Sequence, residues 1–459
     1  MTVSKPILSD YKRAYFIGVG GIGMSALARY FKQLHWEIAG YDKTSTGLTK
    51  DLERIGVDIH YEDSVDSIPK TFFTRENTLI VYTPAIPQHH SELNYFKNNG
   101  FQLYKRSEVL GLISNTTKTI AIAGTHGKTT TSSMMSWMLM QSPLGCNAFL
   151  GGIAVNFNSN LVLKGDKTDY TVVEADEFDR SFLKLSPFSA IITSADPDHL
   201  DIYENSEEFV EGFREFSSLV NPLGWLILRE GLPIQTNQQH YTYAIDSDTS
   251  DYSGFNLRFS EGFFRMDVKT PFGPIIDIIL GIPGIHNAEN ALACIAMAQT
   301  LGIDEETIRG SLKSFLGVKR RFEYIIRKKD FVYIDDYAHH PTELKALIDS
   351  VKLLYPNKKI TGVFQPHLFS RTRDFFEGFV SELSRLDELI LMPIYPAREL
   401  PIPGVTSDVL FQTVSNSKKF LYNHEQVLNY FSVNQPELLL TIGAGNIDLL
   451  IDPLKQHWQ

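Results

Sequence analysis

Cysteine is scarce in these 459 residues. Only Cys146 and Cys294 occur, both among apolar or small neighbours, which excludes a disulfide framework and fits buried thiols in a reducing compartment. Positive charge is in deficit too. The net charge of −11 argues against general nucleic-acid or membrane-surface binding, so any anionic ligand must be held by local fields. No run of about 18 apolar residues is present, and Met1 to Arg13 lacks the apolar core of a secretion signal. These absences predict a cytoplasmic enzyme without membrane insertion. The chain is too long for one ordinary core, and its composition shifts predict three domains, 1–115, 116–322 and 323–459.

What is present centres on Thr119 to Ala123, an apolar β run, followed by Gly124-Thr125-His126-Gly127-Lys128-Thr129-Thr130-Thr131 and the apolar helix Met134 to Met140. This order predicts a nucleotide phosphate cradle. The glycines let backbone N–H groups turn onto an anion, and the helix adds its positive N-terminal end. Lys128 supplies a point charge for the β- and γ-phosphates, and the Thr129 hydroxyl can complete a Mg²⁺ shell, with Mn²⁺ as an alternative. The spacing departs from the usual motif, because Ile122 stands where a glycine is expected.

Upstream, Gly18-Val-Gly20-Gly21-Ile22-Gly23-Met24-Ser25 ends another β run, with a helix predicted over Ala26 to Leu34. Asp42 follows the last glycine by about nineteen residues, where an acidic side chain commonly meets a ribose. Two readings stay open, a dinucleotide cofactor for an NAD-linked oxidoreductase or another nucleotide diphosphate. Thr83-Pro84-Ala85-Ile86-Pro87 is either a ligand-facing loop at a sheet edge or a simple proline turn. Lys105 and Arg106 read as a solvated face.

Downstream, the strand Asp169 to Val173 delivers Glu174-Ala-Asp176-Glu177-Phe-Asp179. Carboxylates so close repel unless cations share them, and Glu174 at the strand tip is the candidate metal ligand. A later strand ends near Asp198 and His199, an imidazole that is either a metal ligand or a hydrogen-bonded structural residue. No chemistry is assigned from Glu204 to Gly273. His286-Asn287-Ala-Glu-Asn290 places two amides one turn apart, suited to an adenine edge or a helix cap. Lys319-Arg320-Arg321 is a solvated run or sends one arginine across a hinge to a phosphate. In the last third, Asp335-Asp336-Tyr337-Ala-His339-His340-Pro341 leaves a strand with a helix starting at Pro341. Gln365-Pro-His367 precedes Arg371 and Arg373, which are either a bidentate clasp for a carboxylate or a surface arginine pair on a turn.

A triphosphate cradle, a separate diphosphate turn and a carboxylate clasp predict three substrates in one cleft and ATP-driven joining of an acid to an amine, ahead of a non-enzymatic nucleotide switch. The motifs Gly124 to Thr131, Glu174 to Glu177, Asp198-His199, His286 with Asn290, and Asp336 to Glu343 together resemble the Mur ligase family of peptidoglycan synthesis, in order across the whole chain. The resemblance implies three α/β domains: N-terminal Rossmann-like, central P-loop ATPase-like and C-terminal Rossmann-like. It implies ATP on the central domain, with Lys128 on its phosphates and Thr129, Glu174 and His199 on Mg²⁺. His286, Asn287, Asn290, Arg321 and Asp336 fall near the nucleoside. UDP-N-acetylmuramate is implied on Gly20 to Ser25, Asp42 and Thr83. L-alanine is implied on Tyr337, His339, His340, His367, Arg371 and Arg373, with a recycled tripeptide as the alternative amine. Lys128, His199 and His340 are the implied catalytic groups, in a monomer or dimer. Two departures stand out: the family often has an asparagine two to five residues ahead of the Asp-His pair, where this chain reads Thr193-Ser-Ala-Asp-Pro-Asp198, and no lysine lies between His199 and Phe213 to be carbamylated as in several relatives.

Overall fold

The computed structural model describes residues 8–164, 168–196, 206–260, 263–397 and 399–459. The chain separates into two compact units, residues 1–255, 268–276 and 289–312, and residues 256–267, 277–288 and 313–459.

The first unit opens with a five-stranded sheet in the order Asp58–His60, Glu37–Tyr41, Arg13–Ile17, Thr78–Tyr82, Leu103–Lys105, and all neighbours are parallel. A parallel sheet must be covered on both faces, which is why Arg13–Ile17 reads as an apolar run rather than an alternation. Phe16 packs with Phe31 on one face, while Tyr15 and Ile17 meet Phe72 and Phe96 on the other. The helix after the glycine turn begins at Ile22, not Ala26, because Gly21 already serves as its N-cap. Gly23 and Met24 therefore lie in its first turn.

The next sheet has the order Ile275–Leu280, Phe263–Lys269, Tyr252–Ser260, His240–Ile245, Leu226–Arg229, Ser189–Ile192, Lys118–Ala123, Tyr170–Glu174, Asn147–Ala154, Ser159–Val162. Its centre, Leu226–Arg229 through Asn147–Ala154, is parallel. One apolar cluster runs from Phe31 through Leu110 and Phe149 to Val173 and Ile192. The first two sheets thus share a core, and burying each such side chain stabilises the fold by about 2 kcal/mol.

The second unit carries a six-stranded sheet ordered Glu323–Arg327, Val332–Asp336, Leu438–Ile442, Ile360–Phe364, Glu388–Leu391, Lys418–Leu421. Only its first pair is antiparallel. The helix Pro341–Leu354 starts where its proline predicts. Three parallel-rich sheets with intervening helices make this the expected three-domain α/β class. Among the described residues no helix is long and apolar enough to cross a membrane.

Candidate active site

The strand Lys118–Ala123 delivers Gly124 at φ 136°, and Gly127 at φ 83° caps the helix Lys128–Gln141. Both positions require glycine for a second reason. A Cβ on Gly124 would lie 2.2 Å from Thr193 Oγ1, and one on Gly127 would lie 2.7 Å from Asn290 Oδ1. The loop is braced by Thr193 and Ser194. Thr193 Oγ1 donates to the His126 carbonyl at 2.5 Å, and Ser194 Oγ accepts the His126 N–H at 2.7 Å. Thr125 donates to the carbonyl of Asp196 at 2.7 Å.

Lys128 folds back over this loop. Its Nζ donates to the Gly124 carbonyl at 2.6 Å and to both Glu177 oxygens at 2.7 and 2.9 Å. Burial opposes the ammonium charge, but the carboxylates of Glu177, Asp176 and Glu174 outweigh it and hold the lysine above its ordinary pKa. Cations of the protein share the acidic segment, which relieves the repulsion that its spacing implies. Glu177 takes Lys128, and Asp176 faces Arg106 at 3.3 Å. Glu174 instead accepts from Thr129 Oγ1 at 3.1 Å and from the Gly151 N–H at 3.0 Å. The side chain of Asp179, and Asp198 and His199 altogether, lie outside the described residues.

A cavity of about 270 Å³ joins the two halves of this unit, lined by Gly21 to Met24, Thr83, Arg106, Gly151, Glu174 and Asp176 among others. Arg106 was read as solvated. The structure lays its guanidinium along Gly23, where a Cβ would come within 2.6 Å of Nη1, so it is the cation of this cavity. Its position between a strand's C-terminal end and a helix start was the available signal. Gly151 left no such signal. Asp42 Oδ2 accepts the Gly20 N–H at 2.7 Å and so shapes the glycine turn itself. Ser25 is fully buried and donates to the Ile22 carbonyl, with Asn160 closing on both.

In the second unit, Asp336 accepts the N–H groups of Phe322 at 2.7 Å and Ala338 at 2.8 Å. Burial raises its carboxyl to about 6, against the pull of Arg321. Arg320 is committed to Asp335 and to the Gly443 carbonyl, while Arg321 lies 3.7 Å from Glu343. Both arginines lie over the Tyr337 ring. Asn287, in the first turn of the helix Ile285–Thr300, donates its side-chain amide back to the Pro283 carbonyl at 2.6 Å. The His286 imidazole is pushed down to about 4 by burial and by Arg321.

His339 Nδ1 lies 2.9 Å from the Tyr337 carbonyl, and His340 Nδ1 accepts the Thr342 N–H at 3.3 Å as the N-cap of Pro341–Leu354. His339 and His367 meet edge to face, and Arg371 reaches His367 Nδ1 at 3.3 Å. The arginine clasp does not form. Both arginines sit on the helix Phe369–Asp374, where residues two apart point about 200° from one another. Arg371 is 9% exposed, whereas the Arg373 side chain is 55% exposed and pairs with Asp374.

A glycine loop opening a helix, an acidic strand tip and a cavity that joins a second glycine turn to that tip, all on parallel sheets, are suited to a nucleotide-dependent ligase. Family models match in the same order: "Mur ligase family, catalytic domain" over 13–118, "Mur ligase middle domain" over 122–298 and "Mur ligase, glutamate ligase domain" over 320–445. The chain belongs to the Mur ligase family. It is 48% identical to a UDP-N-acetylmuramate–L-alanine ligase of Parabacteroides distasonis, covering 96% of both chains, and 47% identical to one of Cytophaga hutchinsonii, covering 98% of this chain and 97% of the other. A solved structure of UDP-N-acetylmuramate-alanine ligase from Thermotoga maritima superposes with a TM-score of 0.84 at 26% identity, covering 97% of this chain and 99% of that one. A murein peptide ligase of Psychrobacter arcticus shares the fold at 20% identity, with a TM-score of 0.73 and coverage of 97% and 98%.

Proposed function

We infer that this chain uses ATP to join L-alanine to the lactyl carboxylate of UDP-N-acetylmuramate, a step of peptidoglycan synthesis. The observation that carries this reading is the near full-length identity to ligases of that reaction in several bacteria. The cavity between the glycine turn and the acidic strand tip supports it chemically. Arg106 and the Gly21 to Met24 turn offer charge and N–H groups to a diphosphate, and the same space ends at Glu174. ATP lies on the Gly124 to Thr130 loop, with Lys128 for its β- and γ-phosphates.

Thr129 Oγ1 and the Glu174 carboxylate, 3.1 Å apart, are hard oxygen donors that fit Mg²⁺ or Mn²⁺, which when bound spreads the charge of the transferring phosphoryl group. His199 is the third donor by family resemblance. The carboxylate attacks the γ-phosphorus, ADP leaves, and the acyl phosphate is attacked by the amine with loss of phosphate. An ammonium is no nucleophile, so a base must take its proton, and a neutral imidazole is suited to that task. A carbonyl can only accept, so His339 Nδ1 carries the hydrogen toward Tyr337 and its Nε2 keeps a lone pair. His340 has the opposite tautomer, because Thr342 donates to its Nδ1. His339 is therefore the proton acceptor and His340 Nε2–H a donor, reversing the weight the motif alone placed on His340. Cytoplasmic location follows from the soluble nucleotide substrates.

Incubation with ATP, UDP-N-acetylmuramate, a mixture of amino acids and the recycled tripeptide is expected to yield the alanyl adduct by mass spectrometry. A tripeptide adduct in its place would make this chain the other ligase.

A further inference from the structure

The mechanism needs Lys128 on phosphate, yet the structure shows it bonded elsewhere. Nζ has three hydrogens, and they are committed to the Gly124 carbonyl and to both oxygens of Glu177, with Thr125 O at 3.3 Å. Glu177 is 1% exposed, so its carboxylate has little water to fall back on. The strand Tyr170–Glu174 and the turn after it bring it there, three residues beyond the metal-ligand candidate. Nothing in the phosphate-loop chemistry requires a carboxylate at this point. An acid beside a triphosphate would repel it.

We propose that Glu177 is the positioning residue of Lys128, a displaceable counterion that holds the ammonium against its own loop until a triphosphate takes it over. This rests on the reading that Lys128 serves the phosphates. While no phosphate is present the bidentate pair keeps the ammonium on its own loop, and the amide oxygen of a glutamine at this position still accepts one of its hydrogens but holds it less firmly than a carboxylate. The consequence is competition. Nucleotide gains Lys128 only for the fraction of time that Glu177 releases it, so apparent affinity is reduced by that fraction.

The experiment measures binding of adenylyl imidodiphosphate with magnesium to the full chain and to Glu177→Gln, Glu177→Asp, Lys128→Ala and the double variant Lys128→Ala, Glu177→Gln. Glu177→Gln is expected to bind about threefold tighter or better, and Glu177→Asp to return toward the parent value. In the Lys128→Ala background the same glutamine change is expected to have no such effect. Unchanged or weaker binding by Glu177→Gln, at an unaltered thermal midpoint, would overturn the proposal. So would an equal gain without the lysine, since Glu177 would then act on the nucleotide directly. If Lys128→Ala alone binds as well as the parent chain, the reading of Lys128 itself has failed, a result that the double variant distinguishes.

Discussion

At the scale of single residues, a glycine decides where the metal-ligand candidate points. Gly151 lies on the strand Asn147–Ala154, and a Cβ there would stand 2.3 Å from both Glu174 oxygens. The obstructed atoms are the far end of a flexible side chain, so Gly151→Ala moves the carboxylate rather than the backbone. Stability should change by less than about 1 kcal/mol. Turnover should fall roughly 10- to 100-fold, as when other partners that orient a metal ligand are lost. A variant with the parent's rate would show that Glu174 has no fixed position to keep. The segments around Lys128, Thr129 and Glu174 were legible as candidates because each is a short contiguous motif at the end of an apolar strand. Gly151 and Arg106 were not, since each matters only through a residue more than twenty positions away, Glu174 for the one and Gly23 and Asp176 for the other.

At the scale of the helix, the duties proposed for the two adjacent histidines are separable. His340 Nδ1 caps Pro341–Leu354, and Glu343 returns to the N–H groups of His339 and His340 in a capping box. His340→Ala should therefore cost about 1 kcal/mol, while His340→Asn keeps a good cap and most of the stability. His339→Gln should leave the thermal midpoint close to the parent's and lower kcat by about 10²- to 10⁴-fold, the usual contribution of a positioned proton acceptor. Burial, opposed by Glu343, holds the His339 pKa below its ordinary value, so it stays neutral and able to accept at neutral pH. Full turnover in His339→Gln with its loss in His340→Asn would return the role to His340. Buried strands were legible as apolar runs, and the start of this helix by its proline. The strands His240–Ile245 to Ile275–Leu280 were not, because half-buried mixed strands share their composition with turns. The arginine clasp failed for a related reason: Arg371 and Arg373 look adjacent in sequence, but a helix turns them to opposite sides.

At the scale of the whole molecule, alternation of apolar strands and helices made three parallel-sheet units legible, and the order of motifs across them carried the family. What such an assembly must do is make a poor electrophile reactive without losing it to water. A carboxylate cannot expel oxide, so one of its oxygens has to leave as part of something better. If the γ-phosphoryl group is first transferred to the lactyl carboxylate, the bridging oxygen belongs to the acid, and it departs with phosphate when the amine adds. UDP-N-acetylmuramate labelled with heavy oxygen in that carboxylate should thus deliver one labelled atom to each released phosphate. Omission of alanine should suppress phosphate release, because no nucleophile completes the reaction. A normal yield of amide without labelled phosphate would require a route in which the acid is activated some other way, for instance by transfer of the nucleotide rather than the phosphoryl group. That route would release pyrophosphate, so the two products tell the mechanisms apart in a single reaction mixture.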